Sequence, residues 1–252
     1  MSTRRETLQL LLAGMAQAQG VVRERPPRKP YVVFLSGETE YNSEATLPQI
    51  AQELESKHGM RCTVMVASGK TDLPGLEALE DADLAVAYLS FLTLPANQLN
   101  QIKAYLDAGK PLVGLRTTTH AFDNWKEFGE QVLGAPFRYD YGSASSTDVK
   151  VIPEAAGHPI LRGVANEFHC RSWLYHVLPL PTSVRPLLMG TSAGEGKRPE
   201  CVPNPVAWTK TYKGGRVFYT SLGHPEDFQV EPFRKLLINA IYWTLGKTPP
   251  AP

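Results

Sequence analysis

Residues 31–36 read YVVFLS, an uncharged run that is followed by Gly37. A continuous apolar run of this length is typical of a strand buried on both faces, as in a parallel sheet. A helical pattern of apolar residues covers 45–58 and stops at Gly59, a residue type that favours helix ends. The alternation continues with strand-like runs at 62–67, 84–88 and 111–115 and a helical pattern at 95–108. Strands alternating with helices predict an α/β fold, here a flavodoxin-like three-layer sandwich with a mainly parallel sheet and helices on both faces.

The second half of the chain changes character after about residue 139, where Pro and Gly interrupt short extended runs. Two longer strand-like runs flank Gly214-Gly215, which predicts a β-hairpin with its turn at the two glycines. A helical pattern at 232–245 then closes the chain. We therefore expect one α/β domain, residues 31–247, in which an antiparallel hairpin extends the parallel sheet.

The composition is that of a globular protein with one sizeable core, since 42% of the 252 residues are hydrophobic and 20% are charged. The net charge is +1 and no basic stripe is interleaved with aromatic residues, which argues against nucleic-acid binding. Cys62, Cys170 and Cys201 are far apart and form no CxxC pair. Neither a disulfide framework nor a cysteine zinc site is indicated, and we expect free thiols in or near the core.

The N-terminal segment resembles an export signal. Two arginines precede a short apolar run at 10–16, and an Ala-Gln-Ala cleavage site follows. This pattern predicts a twin-arginine-type signal peptide at 1–18, a Pro- and Arg-rich linker at 19–30, and a periplasmic or exported protein. The alternative is a short amphipathic helix on a cytoplasmic protein. The apolar run is too short to span a bilayer, so no transmembrane segment is expected.

Polar residues follow three of the predicted strands, at the ends where open α/β sheets bind ligands. After the first strand, two carboxylates and a phenol at a helix entrance suit the binding of sugar hydroxyls or a metal; the candidates are Gly37, Glu38, Glu40 and Tyr41. The alternative is ordinary helix capping by Asn42 or Ser43, with solvated glutamates.

The loop after the fourth strand is rich in hydroxyls and carries a cation and a histidine. Arg116 is suited to clamp a carboxylate or a sugar oxygen, and His120 is suited to act as an acid or a base. Thr117, Thr118 and Thr119 are candidate ligand-binding residues. The alternative is a structural salt bridge of Arg116, with the threonines capping the next helix.

The third candidate is His224, near the end of the second hairpin strand, with Glu226 two residues further on. An acid at that spacing can orient an imidazole for proton transfer or metal binding. Trp173 and Tyr175 form a predicted sugar-stacking wall, because aromatic faces pack on sugar rings; the alternative is that they face the core.

Several motifs together resemble the trehalose-utilisation (ThuA-like) family, which has a class I glutamine-amidotransferase-like fold. They lie at 158–164, 205–208, 215–224 and 241–243, and the resemblance covers about 32–245. In the amidotransferases a cysteine at the elbow after the fourth strand completes a triad with the histidine and its acid. Here Arg116 follows the elbow run PLVGL. A guanidinium is always protonated and cannot act as a nucleophile, which excludes glutamine hydrolysis through a thioester.

The resemblance implies sugar catabolism, a small-carbohydrate ligand such as a keto-sugar glycoside, and a partner sugar dehydrogenase. Many relatives carry an Asp-Glu pair where this chain has Ser172 and Trp173. That departure implies a substrate other than trehalose derivatives, or the loss of an acid-dependent step.

Three functions follow from these patterns together with what the resemblance implies. The first is a hydrolase, lyase or isomerase that acts on a keto-sugar through His224 or His120, without a resident cofactor. The second is a non-catalytic sugar-binding module. The third is a metal-dependent hydrolase in which zinc is held by His120, His224 and Glu38 or Glu40. The sequence leaves open whether the chain forms a homo-oligomer.

Overall fold

A computed structural model describes residues 28–196 and 199–251. The predicted signal peptide at 1–18 and most of the linker at 19–30 lie outside the described residues. Within the described part, nine strands form one large sheet, and two short strands form a small second sheet. The architecture is the expected mixed α/β fold.

Three α-helices accompany the strands in the described part of the chain: α1 (Ser43–His58), α2 (Ala96–Asp107) and α3 (Glu231–Thr244). The first-half strands are β1 (Tyr31–Gly37), β2 (Arg61–Val66), β3 (Leu84–Leu89) and β4 (Leu112–Leu115). The second half holds β5 (Tyr139–Asp140), β6 (Ser146–Val151), β7 (Glu167–Cys170), β8 (Tyr175–His176), β9 (Arg185–Ala193), β10 (Asn204–Tyr212) and β11 (Gly215–Thr220). The strand order in the large sheet is β2-β1-β3-β4-β11-β10-β9-β6-β7, and β5 pairs with β8 in the small sheet.

The parallel half consists of β2, β1, β3, β4 and β11, and it is covered on both faces. Alternate side chains of β1 enter different cores: Phe34 packs in the cluster that contains Leu47 of α1 and Leu237 of α3. Its neighbour Leu35 packs in the cluster that contains Leu99 of α2. Burial on both faces explains why the strand reads as an unbroken apolar run.

The predicted hairpin is formed by β10 and β11, but its turn lies one residue earlier than expected. Lys213 (φ 49°) and Gly214 (φ 91°) occupy the turn, and positive φ at both central residues is the geometry of a type I′ hairpin. Gly215 instead begins β11, where a Cβ atom would lie 2.6 Å from the carbonyl oxygen of Gly109. The second glycine is therefore required by close backbone packing.

Two further expectations concern thiols and membranes. Cys62, Cys170 and Cys201 are free thiols, and Cys170 is buried. Among the described residues, no helix has both the length and the apolar character that crossing a bilayer requires.

Candidate functional site

The candidate residues meet because β1, β3, β4 and β11 are parallel neighbours in the sheet. Their carboxyl ends lie at one edge, and the loops that follow β1, β4 and β11 gather there. The segment between β7 and β8 adds Trp173 to this group. Three separate predictions from the sequence thus fall in one region.

Arg116 lies at the centre of this edge, directly after β4, and its side chain is fully buried. Its backbone has φ 42°, a left-handed conformation that is uncommon for a residue other than glycine. The Cζ atom lies 4.2 Å from the ring centre of Tyr41, 4.6 Å from that of Trp173 and 4.8 Å from that of Tyr175. A cation surrounded by three aromatic faces gains cation–π stabilisation that is greatest when water is excluded.

The hydrogen bonds of Arg116 go to neutral groups. Its guanidinium donates to the carbonyl oxygen of Ser221 at 2.9 Å and to the hydroxyl of Tyr41 at 3.2 Å. Its Nε atom is buried and has no hydrogen-bond partner among the described residues. No described carboxylate forms an ion pair with it. In this conformation the guanidinium packs against three aromatic rings, and the alternative, a structural salt bridge, is absent among the described residues.

The three threonines after Arg116 are also buried and form a short 3₁₀ helix, Arg116–His120. The Thr118 hydroxyl lies 2.6 Å from the carbonyl oxygen of Leu115 and 2.8 Å from that of Ala87. Thr117 has a buried hydroxyl without a described partner, and the Thr119 hydroxyl lies 3.4 Å from Nδ1 of His120. The Thr118 hydroxyl thus holds the loop against the sheet, and all three threonines are buried.

The loop after β1 is organised by the Glu38 carboxylate, which is almost fully buried. It accepts hydrogen bonds from the backbone N–H groups of Glu40 (2.9 Å) and Tyr41 (2.5 Å). Burial raises the pKa of Glu38 above its ordinary value. The Asn42 side chain, considered above as a cap, makes no capping bond, and Gly37 lies at the end of β1.

Tyr41 belongs to this loop and packs against Trp173 and His224, and Glu40 lies beside it. The Tyr41 hydroxyl donates to a Glu40 carboxylate oxygen at 3.0 Å while it accepts from Arg116. Burial raises the pKa of Tyr41 well above its ordinary value, so the phenol stays protonated at neutral pH. Glu40 is exposed, and it therefore presents a carboxylate to solvent beside the Tyr41 and Trp173 rings.

His224 lies four residues past the end of β11, and its side chain is 20% exposed. Its ring centre lies 6.1 Å from that of Tyr41 and 6.3 Å from that of Trp173. Nδ1 accepts a bond from the backbone N–H of Glu226 at 3.3 Å, and Nε2 makes no hydrogen bond with a described residue. Burial lowers the pKa of His224, so the imidazole is neutral at pH 7.

The acid that fixes the position of His224 is Asp227, which the sequence patterns did not indicate. Glu226 is 71% exposed, and its carboxylate lies 3.9 Å from Nδ1 of His224. The fully buried Asp227 accepts from the backbone N–H of His224 at 3.1 Å and from the Ser172 hydroxyl at 2.5 Å. His224 and Asp227 form a capping box on the turn Pro225–Gln229. The three-residue spacing was the available signal, but histidine is not among the usual N-cap residues.

His120 lies elsewhere along the same edge, in a second group of rings. Its ring centre lies 4.6 Å from Phe91, 4.7 Å from Phe137 and 6.5 Å from Tyr175. Burial, together with the charge of Arg116, lowers the pKa of His120 to about 4. Phe91 and Phe137 were missed because neither lies in a recognisable motif. Tyr175 is buried between the groups, and it contacts both Phe137 and Arg116.

The zinc alternative required two histidines and a carboxylate at one point. Among the described residues, no three His, Cys, Asp or Glu side chains come together as a metal site would need. His120 and His224 instead belong to separate ring groups, one with Phe91 and one with Trp173.

The comparisons with known proteins agree with this fold. A family model described as trehalose utilisation, ThuA, matches residues 31–244. The chain belongs to the ThuA family. A comparison with the curated proteins finds no match.

Solved structures of ThuA-like proteins share the fold. One from Parabacteroides merdae has a TM-score of 0.70 at 16% identity, over 89% of this chain and 93% of that chain. Another, from Bacteroides uniformis, has a TM-score of 0.66 at 17% identity, over 90% and 98% of the two chains. A β-galactosidase from Rahnella sp. R3 is similar over 89% of this chain and 32% of its own, with a TM-score of 0.56 at 15% identity. At these identities the likeness concerns the fold alone.

Proposed function

We propose that this ThuA protein binds a small carbohydrate at the carboxyl edge of its sheet and acts on it by proton transfer at Nε2 of His224. Family membership supports a carbohydrate-related role. The observation that carries the proposal is the set of contacts that His224 makes and the one ring nitrogen that it leaves free of described partners. Its backbone is held by Ser172 and Asp227, its Nδ1 is engaged, and its Nε2 has no described partner beside two aromatic rings.

A neutral imidazole in this position is suited to remove a proton from a carbon next to a ketone. In a keto-sugar glycoside, Nε2 would take that proton while the electron pair of the C–H bond forms a carbon–carbon double bond. The glycosidic C–O bond breaks at the adjacent carbon, and the departing alkoxide takes a proton back from the imidazolium. The products are an unsaturated keto-sugar and a free alcohol, and no oxidant or reductant is consumed.

The surrounding residues have distinct parts in this proposal. Trp173 offers a ring face for the sugar, since aromatic faces pack on the C–H faces of pyranoses. The exposed Glu40 carboxylate offers hydrogen bonds at its rim, and the Tyr41 hydroxyl, which donates to Glu40, helps to hold this carboxylate in place. Arg116 is buried under the Tyr41 and Trp173 rings. Its guanidinium holds these two rings in position and keeps a positive charge close to the developing enolate.

The test is to incubate the full chain with 3-keto-disaccharides and to follow the products by mass spectrometry, with and without a chelator. His224→Gln should abolish turnover, because Gln cannot exchange a proton at neutral pH. Gln229→Ala is the matched control, since Gln229 is exposed on the same turn. Thermal unfolding of both variants checks that the fold is intact.

Each outcome has a separate meaning. Turnover that is lost only in His224→Gln and survives chelation supports the proposal. Full turnover in His224→Gln refutes it, and loss on chelation favours metal-dependent hydrolysis. Binding of the sugar without any turnover favours the non-catalytic sugar-binding module.

A further inference from the structure

Phe91 is held in a backbone conformation that its side chain disfavours. It follows β3 by two residues and has φ 51°, and the residue is 49% exposed. A bulky aromatic residue with positive φ is a genuine outlier, and such strain is concentrated at functional sites. Burial of its own ring does not explain the strain, because half of the residue faces solvent.

The neighbouring backbone holds this geometry in place. The N–H of Phe91 donates to the carbonyl oxygen of His120 at 2.9 Å, and the N–H of Leu92 donates to that of Ala121 at 2.7 Å. The Phe91 ring therefore stands beside the His120 imidazole, 4.6 Å between centres and 33° between planes. The Phe137 ring also contacts the His120 imidazole, at 4.7 Å between ring centres. The result is a small aromatic platform, defined here as Phe91, His120 and Phe137.

The platform also has polar groups at its rim. Nε2 of His120 makes no hydrogen bond with a described residue, and this residue is only partly buried. The Lys70 ammonium lies nearby, where it donates to the carbonyl oxygen of Ser90 at 2.7 Å. An exposed ring face with hydrogen-bonding groups at its edge is the combination that suits a pyranose, which has C–H faces and equatorial hydroxyls.

The platform is continuous with the site around His224. Tyr175 lies 4.7 Å from Phe137 between ring centres, and the Arg116 guanidinium lies 4.8 Å from Tyr175 and 4.6 Å from Trp173. A row of packed rings and one cation thus connects the two ends of the site. A disaccharide has two rings, and the two ends of this row offer one aromatic group to each of them.

We propose that Phe91, His120 and Phe137 form a second subsite, which binds the further pyranose ring of a disaccharide whose first ring lies beside His224. The Phe91 ring stacks on the C–H face of that sugar, and Nε2 of His120 bonds to one of its hydroxyls. This inference rests on the proposed function, because it presumes that the same edge binds a carbohydrate.

The test compares binding of trehalose and of glucose to the full chain by calorimetry, using Phe91→Ala and Phe91→Gly. Both variants should lower the affinity for trehalose about 3- to 10-fold relative to that for glucose, since one aromatic–sugar contact is lost. Phe91→Gly should also unfold at a higher temperature than Phe91→Ala, because glycine accepts positive φ without strain. Val202→Ala is the control, since Val202 is 47% exposed and lies outside the platform.

An unchanged trehalose-to-glucose affinity ratio in both Phe91 variants overturns the subsite, whatever His224→Gln does to turnover. If turnover survives in His224→Gln while the ratio falls in the Phe91 variants, the subsite stands and the proposed chemistry fails. If the wild type binds neither sugar, the subsite fails, and if it also turns over none of the 3-keto-disaccharides, the proposed function fails with it. Sedimentation supplies a further check: self-association that Phe91→Ala abolishes, with the sugar affinities unchanged, would make the platform an interface between copies.

Discussion

Asp227 offers the sharpest test of how the site is held together. Its Oδ1 accepts from the N–H groups of Arg171 (2.7 Å) and Ser172 (3.2 Å). Its Oδ2 accepts from the Ser172 hydroxyl (2.5 Å) and from the N–H groups of Gly223 (2.9 Å) and His224 (3.1 Å). Asp227→Asn changes the size little but replaces one of these oxygens by an NH₂ group, which cannot accept.

The cost can be worked out from these contacts. If the amide oxygen stays at the Oδ2 position, the N–H groups of Arg171 and Ser172 both lose their acceptor and face a donor. A buried unsatisfied donor costs about 1–3 kcal/mol, so Asp227→Asn should lower the free energy of unfolding by about 2–6 kcal/mol. For a domain of this size we expect the Tm to fall by at least about 4 °C.

Urea and thermal unfolding measure this change, with Glu226→Gln as the control. Glu226 is the adjacent acid, but it is 71% exposed and 3.9 Å from Nδ1 of His224, so its variant should stay within about 0.5 kcal/mol of the wild type. A Tm for Asp227→Asn within 1 °C of the wild type, on the order of the measurement error, would refute the reasoning. Equal destabilisation by the two variants would do so as well.

Three further predictions concern the stability of the folded chain. Burial lowers the pKa of His158 to about 4 from 6.5, so the folded state resists protonation and loses stability as the pH falls from about 6.5 towards 4. His158→Asn should reduce that loss by about 3 kcal/mol in urea titrations at pH 7 and pH 4, and an unchanged loss would contradict it. Arg116→Lys should cost about 2–4 kcal/mol in urea unfolding, because an ammonium cannot stack between several rings and donate in plane; a neutral result would show that the ring contacts contribute little. Gly215→Ala should cost about 1–3 kcal/mol, since its Cβ would meet the Gly109 carbonyl oxygen at 2.6 Å. Gly157→Ala, with open space around it, should stay within about 0.5 kcal/mol, and similar Tm values for the two variants would contradict the packing argument.

The parallel half of the fold could be predicted because its signals are local. The strands β3 and β4 are buried along their whole length and β1 is buried from Tyr31 to Ser36, and the C-cap of α1 is Gly59 at φ 63°. Such features depend on neighbours in the chain and on two-sided burial. The boundaries of the predicted helices accordingly differ from the observed ones by only one or two residues.

The antiparallel half could be predicted only in part, because its pairing is set by distant segments. The hairpin was found from its turn, although one residue off. The partners of β9 are β10, at nearby residues, and β6, where Ala193 lies opposite Ser146. Nothing in the short extended runs of this region specifies such a register. The irregular pairing between Pro205 and Trp208 adds a further deviation from simple alternation.

The candidate site shows the same division. The sequence indicated which loops gather at the sheet edge, but not which of their side chains are exposed. Arg116 is buried because rings 75 and 57 positions away in the chain close over it. Phe91 has positive φ although phenylalanine rarely adopts it, so the residue type gives no indication of this conformation. Both properties arise from tertiary packing, which overrides the local preferences of the residues.

The hairpin turn has a practical consequence for following ligands at this edge. Because β11 begins at Gly215 and runs towards His224, its turn lies at the end of the sheet remote from the rings. Lys213 and Gly214 are exposed there, and a Cβ atom at Gly214 would meet nothing within 4 Å. A fluorophore attached at position 213 would therefore lie at the turn before β11, a central strand of the sheet, and would not touch the loops that are proposed to bind the sugar.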